Sequence, residues 1–267
     1  MVTQERLIEF ESCLNFRDLG GYSGLHNRAV RWGRLYRSMT PDHMSAADVA
    51  KARSLNIGLV IDLRGGSYQS SGPIGDPPAR RIAAGPSFLR ERDELPAEVV
   101  AFMALPPEDA LPRVLAMYGP SFATAVAAIS ADARTGVMVH CRLGKDRTGV
   151  FAALLLKLLR VSDADVIEDY MLTAQVEPQM KRLLAGVEEA AEAREPRVAR
   201  EPVDRRAIEC VLERLESQYG TAYNYFVRHG VAAQHLNALI ESLLEPASAG
   251  PDAPRRADVP VAALIPN

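Results

Sequence analysis

A chain of 267 residues that is 48% hydrophobic and 24% charged has ordinary globular composition and enough length for a sizeable core. Its net charge of −3 gives no global electrostatic case for nucleic acid, so any anion site has to be local. Three cysteines, Cys13, Cys141 and Cys210, are too few and odd in number for a disulfide scaffold, and none belongs to a CxxC pair of the kind that binds zinc.

The opening residues, MVTQERLIEF, carry acids and lack the apolar stretch of a signal peptide. The longest apolar run, Val150 to Leu156, is far short of a membrane span. The expectation is a cytoplasmic protein in a reducing setting, with no integral membrane segment; non-classical export stays open.

In chain order, LNFRDLGGY (residues 14–22) is dense in Gly and charge and predicts a turn, which Arg17 and Asp18 are expected to stabilise, with lining of the site as the second reading for both. RLYRS (residues 34–38) reads as a short extended piece. Thr40-Pro41-Asp42 predicts a helix start, with a capping hydroxyl, Pro at the first helical position and an acid near the positive helix end, running to about Leu55. IGLVIDLR (residues 57–64) predicts a buried strand with Asp62 and Arg64 at its carboxyl end. The loop GGSYQSSGPIGDPP that follows is long enough to suggest a functional role.

Helical signals run from Leu111 to Ala131 with an interruption at Gly119-Pro120. GVMVHC predicts a second buried strand, and TGVFAALLLKLL, apolar nearly all round, a core helix. Ser162 caps the next helix, with Asp163 and Asp165 in its first turn. Residues 177–206, rich in Glu and Arg and broken by Pro178, Pro196 and Pro202, read most simply as a solvated helix. Ile208, Val211, Leu212, Leu215 and Tyr219 mark one face of a further helix, and a last apolar helix ends near Leu244. The proline-rich residues 246–267 are expected to be disordered. There is no internal repeat.

Strands alternating with helices imply an α/β fold with helices on both faces of a sheet. Ligands in such folds sit beyond the carboxyl ends of the strands, where IDLR and VHCRLGKDRTG both finish.

The stretch HCRLGKDRTGV, residues 140–150, carries the chemistry. A structural cysteine wants apolar neighbours, yet Cys141 has Arg142, Lys145 and Arg147 within six positions. A strand, a short Gly-containing loop and a helix start make an anion cradle of inward-pointing amides, reinforced by the helix dipole. A nucleotide-binding phosphate loop is excluded, because Gly144-Lys145 is followed by Asp146 instead of Ser or Thr and no Gly lies five positions before Gly144. Thiols at helix N-termini beside cations ionise more readily than free ones. Five spacer residues let the loop curl so that the planar fork of Arg147 grips two phosphate oxygens. Gly144 relieves the steric cost of the curl, and the Thr148 hydroxyl can donate to the thiolate.

HCRLGKDRTG resembles the signature loop of the cysteine-dependent protein tyrosine phosphatases, H-C-x5-R-[ST]. With NFRDLGGY, RLYRS, VIDLR and YGTAYNYF, it more closely resembles the bacterial branch typified by mycobacterial tyrosine phosphatase B and related lipid phosphatases. The resemblance spans about residues 14 to 245. It implies a cysteine-phosphatase fold, with a central, mostly parallel sheet flanked by helices and a lid-like helical insertion at about 177–206. Residues 1–245 would form a single phosphatase domain.

The resemblance implies catalysis by Cys141, Asp146 and Arg147 without metal or other cofactor, through a phosphocysteine intermediate. Arg142, Leu143, Gly144, Lys145 and Thr148 would complete phosphate binding. His140, Asp62 and Arg64 would support the loop, the last two more readily as an ion pair than as acid and ligand. In this branch the acid is the Asp inside the loop, here Asp146. Its cationic neighbours favour the carboxylate whereas the thiolate and a phosphate dianion favour the acid, so Asp62 stands as the alternative donor. The activity implied is hydrolysis of phosphotyrosine, with a dual specificity extending to phosphoserine and phosphothreonine and to phosphoinositides. The substrate would thus be a phosphorylated protein or a phosphoinositide, with Arg142 and Lys145 as spare rim cations for additional phosphates. A catalytically weak phosphate-binding module, a phosphoinositide-specific phosphatase and, more distantly, a sulfurtransferase or arsenate reductase are the alternatives. Cys13 and Cys210 read as ordinary thiols.

Overall fold

The computed structural model describes residues 6–64, 74, 78–86, 97, 101–102, 104–132, 135–185 and 201–247. The chain lays down strands β1 (Arg17–Asp18), β2 (Arg28–Val30) and β3 (Leu35–Ser38), helix α1 (Ala46–Arg53), and strands β4 (Ile57–Asp62) and β5 (Arg80–Ala83). Helical turns over Pro107–Met117 meet α2 (Gly119–Ala131) at a bend of 62°, where Pro120 opens the second helix. Strand β6 (Gly136–His140) leads into α3 (Asp146–Leu158), followed by α4 (Asp163–Met171), α5 (Glu177–Ala185), α6 (Arg205–Tyr219), α7 (Ala222–Arg228) and α8 (Ala233–Leu243). Strand β7 (Leu244–Pro246) closes the described chain.

Among the described residues, five strands form one sheet in the order β1-β3-β6-β4-β5. β3, β6, β4 and β5 run parallel to one another, and only the short β1 is antiparallel to its neighbour. This is the expected α/β fold with a mostly parallel central sheet. Side chains alternate between its faces as the pleat requires. Leu35, Leu59, Ile61, Val137 and Val139 enter a large core with α2, α3 and α6 to α8. Tyr36, Val60 and Met138 face a smaller one with Phe10, Phe16, Ala52 and Met180. Burying each such side chain contributes about 1.5–3 kcal/mol. α3 is covered nearly all round, which accounts for its apolar run from Val150 to Leu156.

Three expectations about the fold need correction, and one strand, β5, was not expected. The first helix starts at Ala46 instead of Thr40. Ser45 and Asp48 form a reciprocal capping box that outcompetes the Thr-Pro-Asp signal, while Asp48 also accepts from the backbone of Glu11 and Ser12. β5 was hidden because its RRIA sequence carries two charges at the sheet edge. Residues 177–185 are not simply a solvated helix, since Glu177 and Met180 are buried. Pro246 is not in a disordered tail but pairs with Arg28 at the end of β7. The remainder of the tail, most of the loop after Arg64 and the greater part of the lid-like insertion lie outside the described residues. No single helix among the described residues is long and apolar enough to cross a membrane.

Candidate active site

Sheet register places three strand ends side by side: Ser38 and Asp62 both pair with His140. Cys141 therefore leaves the central strand at the carboxyl edge of the sheet. The Leu63 amide donates to the His140 carbonyl (2.9 Å) and the Thr40 amide to the Arg142 carbonyl (2.8 Å), so both neighbouring strands pin the loop as it starts. Cys141 is 2% exposed.

From Arg142 onward the loop is gripped by its carbonyls. Asn15 Nδ2 donates to those of Leu143 (3.0 Å) and Gly144 (3.2 Å), and Arg37 Nη2 to those of Gly144 (2.8 Å) and Lys145 (3.4 Å). The Gly149 amide also donates to the Lys145 carbonyl as α3 begins. A trans peptide points its carbonyl and the next N–H in opposite directions. The amides of Leu143, Gly144, Lys145 and Asp146 thus face away from these scaffold donors, the arrangement of an anion nest at a helix N-terminus. Gly144 has φ +66°, and a β-carbon there would lie 2.2 Å from the Ser38 carbonyl oxygen, so both conformation and space demand glycine.

Beneath the loop lies a buried charge network that the sequence did not reveal. Asp169 of α4, 1% exposed, accepts from Arg17 Nε (2.9 Å) and Arg37 Nη1 (2.6 Å). Arg17 Nη2 also donates to the Asp169 carbonyl (2.8 Å), and Nη1 donates to Asn15 Oδ1. Burial pushes the Asp169 carboxyl up, but the two guanidinium groups outweigh it and hold it below the usual carboxylate range. Burial, then Arg17, pulls Arg37 down to about 10 against the opposing effect of Asp169. Arg17 is thus part of the loop's foundation and not of the turn. Asp18 does hold the turn, accepting from the Gly20 (2.8 Å) and Gly33 (2.7 Å) amides. An arginine inside a buried strand has to find a buried acceptor, which was the available signal for Arg37; that the acceptor would be Asp169 was not.

The remaining expected residues fall as follows. Thr148 is fully buried in the first turn of α3, and its Oγ1 has no hydrogen-bond partner among the described residues. Asp146 is buried at the start of α3, and Arg147, next in that turn, is half-buried, as are Arg142 and Leu143. His140 Nδ1 lies 3.0 Å from the Cys141 carbonyl, which can only accept, so Nδ1 carries the proton. Asp62 accepts from Arg64 with both oxygens, Nη2 to Oδ2 at 2.7 Å, and Arg64 also pairs with Asp42. Lys145 is 1% exposed: its ammonium meets Glu177 Oε1 (3.3 Å) and donates to the Glu201 carbonyl (2.6 Å), placing it inside the protein and not at a solvent-facing rim. The three cysteines are unbonded; burial pushes the Cys13 thiol far up.

A cysteine delivered by the central parallel strand into an amide-lined loop at a helix N-terminus is an arrangement suited to holding an anion beside the sulfur. Residues 8–245 match the model of the tyrosine phosphatase family, and the chain belongs to that family; it is an enzyme of the protein-tyrosine-phosphatase class. It is 30% identical over 239 residues to a Cupriavidus necator protein named "Putative tyrosine-protein phosphatase", covering 82% of each chain. It is also 35% identical over 128 residues to a protein of Nostoc commune named "Tyrosine-protein phosphatase", covering 45% of this chain and 43% of that one.

Proposed function

We propose that the protein is a cysteine-dependent phosphatase that hydrolyses phosphotyrosine through a phosphocysteine intermediate, as in the mycobacterial tyrosine phosphatase B branch its motifs resemble. The observation that carries this reading is the outward grip on four successive loop carbonyls, which turns four amides the other way beside Cys141. The Cys141 thiolate attacks phosphorus in line while the bond to the leaving oxygen breaks. Asp146 gives that oxygen its proton. Water then attacks phosphorus, the S–P bond breaks, and the Asp146 carboxylate takes the water's proton. Arg147 and the amides stabilise the transferring phosphoryl.

Asp146 is favoured over Asp62 as the acid because both Asp62 oxygens are engaged by Arg64 and so are not turned toward a leaving group. The buried Thr148 hydroxyl, without a hydrogen-bond partner among the described residues, suits donation to a sulfur that gains charge when phosphocysteine breaks down. The inward course of Lys145 favours a substrate with one phosphate over a phosphoinositide. The main core runs from Leu19 to Leu244, which supports reading residues 1–245 as one catalytic domain. The deciding experiment is hydrolysis of p-nitrophenyl phosphate in chelator. Wild type should turn over; Cys141→Ser should not, yet should still bind substrate. Turnover by Cys141→Ser within about tenfold of wild type, a difference of only about 1.4 kcal/mol in barrier, would end the covalent mechanism.

A further inference from the structure

We propose that Asp169 is a positioning residue for the phosphate site: through Arg37 on one side and Arg17 and Asn15 on the other, one carboxylate of α4 sets the direction of the loop amides. The proposal rests on the phosphatase reading of that loop. Two chains of contact leave Asp169. Oδ2 receives Arg37 Nη1 (2.6 Å), whose other arm, Nη2, reaches the Gly144 carbonyl (2.8 Å). Oδ1 receives Arg17 Nε (2.9 Å), and Arg17 Nη1 fixes Asn15 Oδ1, which orients the Asn15 amide toward the Leu143 carbonyl (3.0 Å). Both chains end on carbonyls whose opposite-facing amides line the nest.

The arrangement is costly, and that cost points to a function. Arg17 and Arg37 sit directly opposite each other on β1 and β3, both buried, so two like charges are held side by side. Asp169 compensates one of them. Asn15 adopts the left-handed conformation at φ +59°, a region that asparagine tolerates better than most residues. A buried ion cluster is weak evidence for stability, because apolar packing commonly does as well; its use here is directional. Arginine's rigid fork can hold a carboxylate with one arm and a carbonyl with the other, whereas an ammonium on a flexible stem does not fix the two directions together.

Positioning and simple electrostatics predict opposite signs. Removing the Asp169 charge beside an anion site should strengthen anion binding if only Coulomb attraction mattered. If Asp169 directs the amides, binding should weaken. The test is tungstate affinity by calorimetry for wild type, Asp169→Asn, Arg37→Lys and Asn15→Asp, with kcat and KM on p-nitrophenyl phosphate and with thermal unfolding to define a temperature at which each is folded. Asn15→Asp keeps the acceptor for Arg17 and removes the donor to the loop; Arg37→Lys keeps the charge and removes the fork. Each folded variant should lose about tenfold or more in tungstate affinity, the equivalent of about one charge-assisted hydrogen bond, with kcat falling as well as KM rising. Tungstate affinity within about twofold of wild type in the folded variants, or tighter binding by Asp169→Asn, would overturn the proposal, as would loss of the fold in all three, which would make the network purely structural. The phosphatase reading fails separately: wild type would then bind tungstate without hydrolysing the ester.

Discussion

Lys145 and Glu177 form a buried ion pair, Nζ to Oε1 at 3.3 Å, between the loop after β6 and the start of α5. Glu177 Oε2 also accepts from the Val203 amide (3.0 Å), and Lys145 donates to the Glu201 carbonyl. One pair thus ties the loop to two distant segments. Breaking a buried pair from one side costs about 3–5 kcal/mol because the other charge is stranded. Lys145→Ala and Glu177→Gln should therefore both destabilise the protein, and their effects in the double variant should be far from additive. Lys145→Ala should reduce kcat/KM on a phosphotyrosine peptide and on a phosphoinositide by the same factor. A selective loss on the phosphoinositide would show that Lys145 leaves Glu177 to meet a second phosphate.

Gly144→Ala should disable the loop. The β-carbon would meet backbone atoms of Ser38 and Met39, at 2.2 Å and 2.7 Å, and backbone cannot swing aside as a side-chain tip can. The positive φ adds strain of about 1–3 kcal/mol. A displacement of about 1 Å at a reacting centre costs on the order of a hundredfold in rate, so kcat/KM should fall at least that far while the variant remains folded. Kinetics on p-nitrophenyl phosphate alongside an unfolding curve check both; a near-normal rate would mean the nest does not hold the reacting phosphate.

Much of this was legible in the sequence, for definable reasons. IGLVID and GVMVH are apolar runs of strand length, and the loop's residue types and spacing have few other uses. The contacts that local sequence does not encode are long-range. Asp169 looks like one more acid on a capped helix until the fold brings it to Arg17 and Arg37, separated from it by 152 and 132 residues. Lys145 looks like a rim cation because sequence gives a charge but no direction. The first helix starts at Ala46, not at the Thr40-Pro41 signal, because Ser45 and Asp48 cap each other reciprocally.

The choice of acid has a kinetic signature. A poor leaving group needs a proton in the transition state and a good one does not. Asp146→Asn should therefore slow hydrolysis of phenyl phosphate much more than that of p-nitrophenyl phosphate. Asp62→Asn should slow both alike, because it loosens Arg64, which Asp62 meets with both oxygens. Plotting rate against leaving-group acidity for the two variants decides between them, and a steepened slope for Asp62→Asn alone would exchange their roles.

His140 predicts how stability responds to acid. Its ring is fully buried, with Nδ1–H donated to the Cys141 carbonyl and Nε2 lying 3.9 Å from Asp62 Oδ2. Burial holds its pKa below the ordinary value; Asp62 favours the charged ring, Arg64 opposes it, and the bond to the Cys141 backbone and Asp42 favour it. The unfolded chain takes up this proton near pH 6.5, roughly the free imidazole value, while the native protein resists until lower pH. The stability due to neutral His140 is thus fully present above that point and is lost as pH falls through the native pKa. His140→Asn retains a donor for the Cys141 carbonyl and removes the titration. Urea midpoints between about pH 7.5 and 5 should fall less steeply for this variant than for wild type. His229, lowered in the same direction by burial and then Arg228, remains in both proteins and cancels in the comparison. Identical slopes would show that His140 takes up its proton equally in the native and unfolded chains, and that a charged imidazole is accommodated beside Asp62.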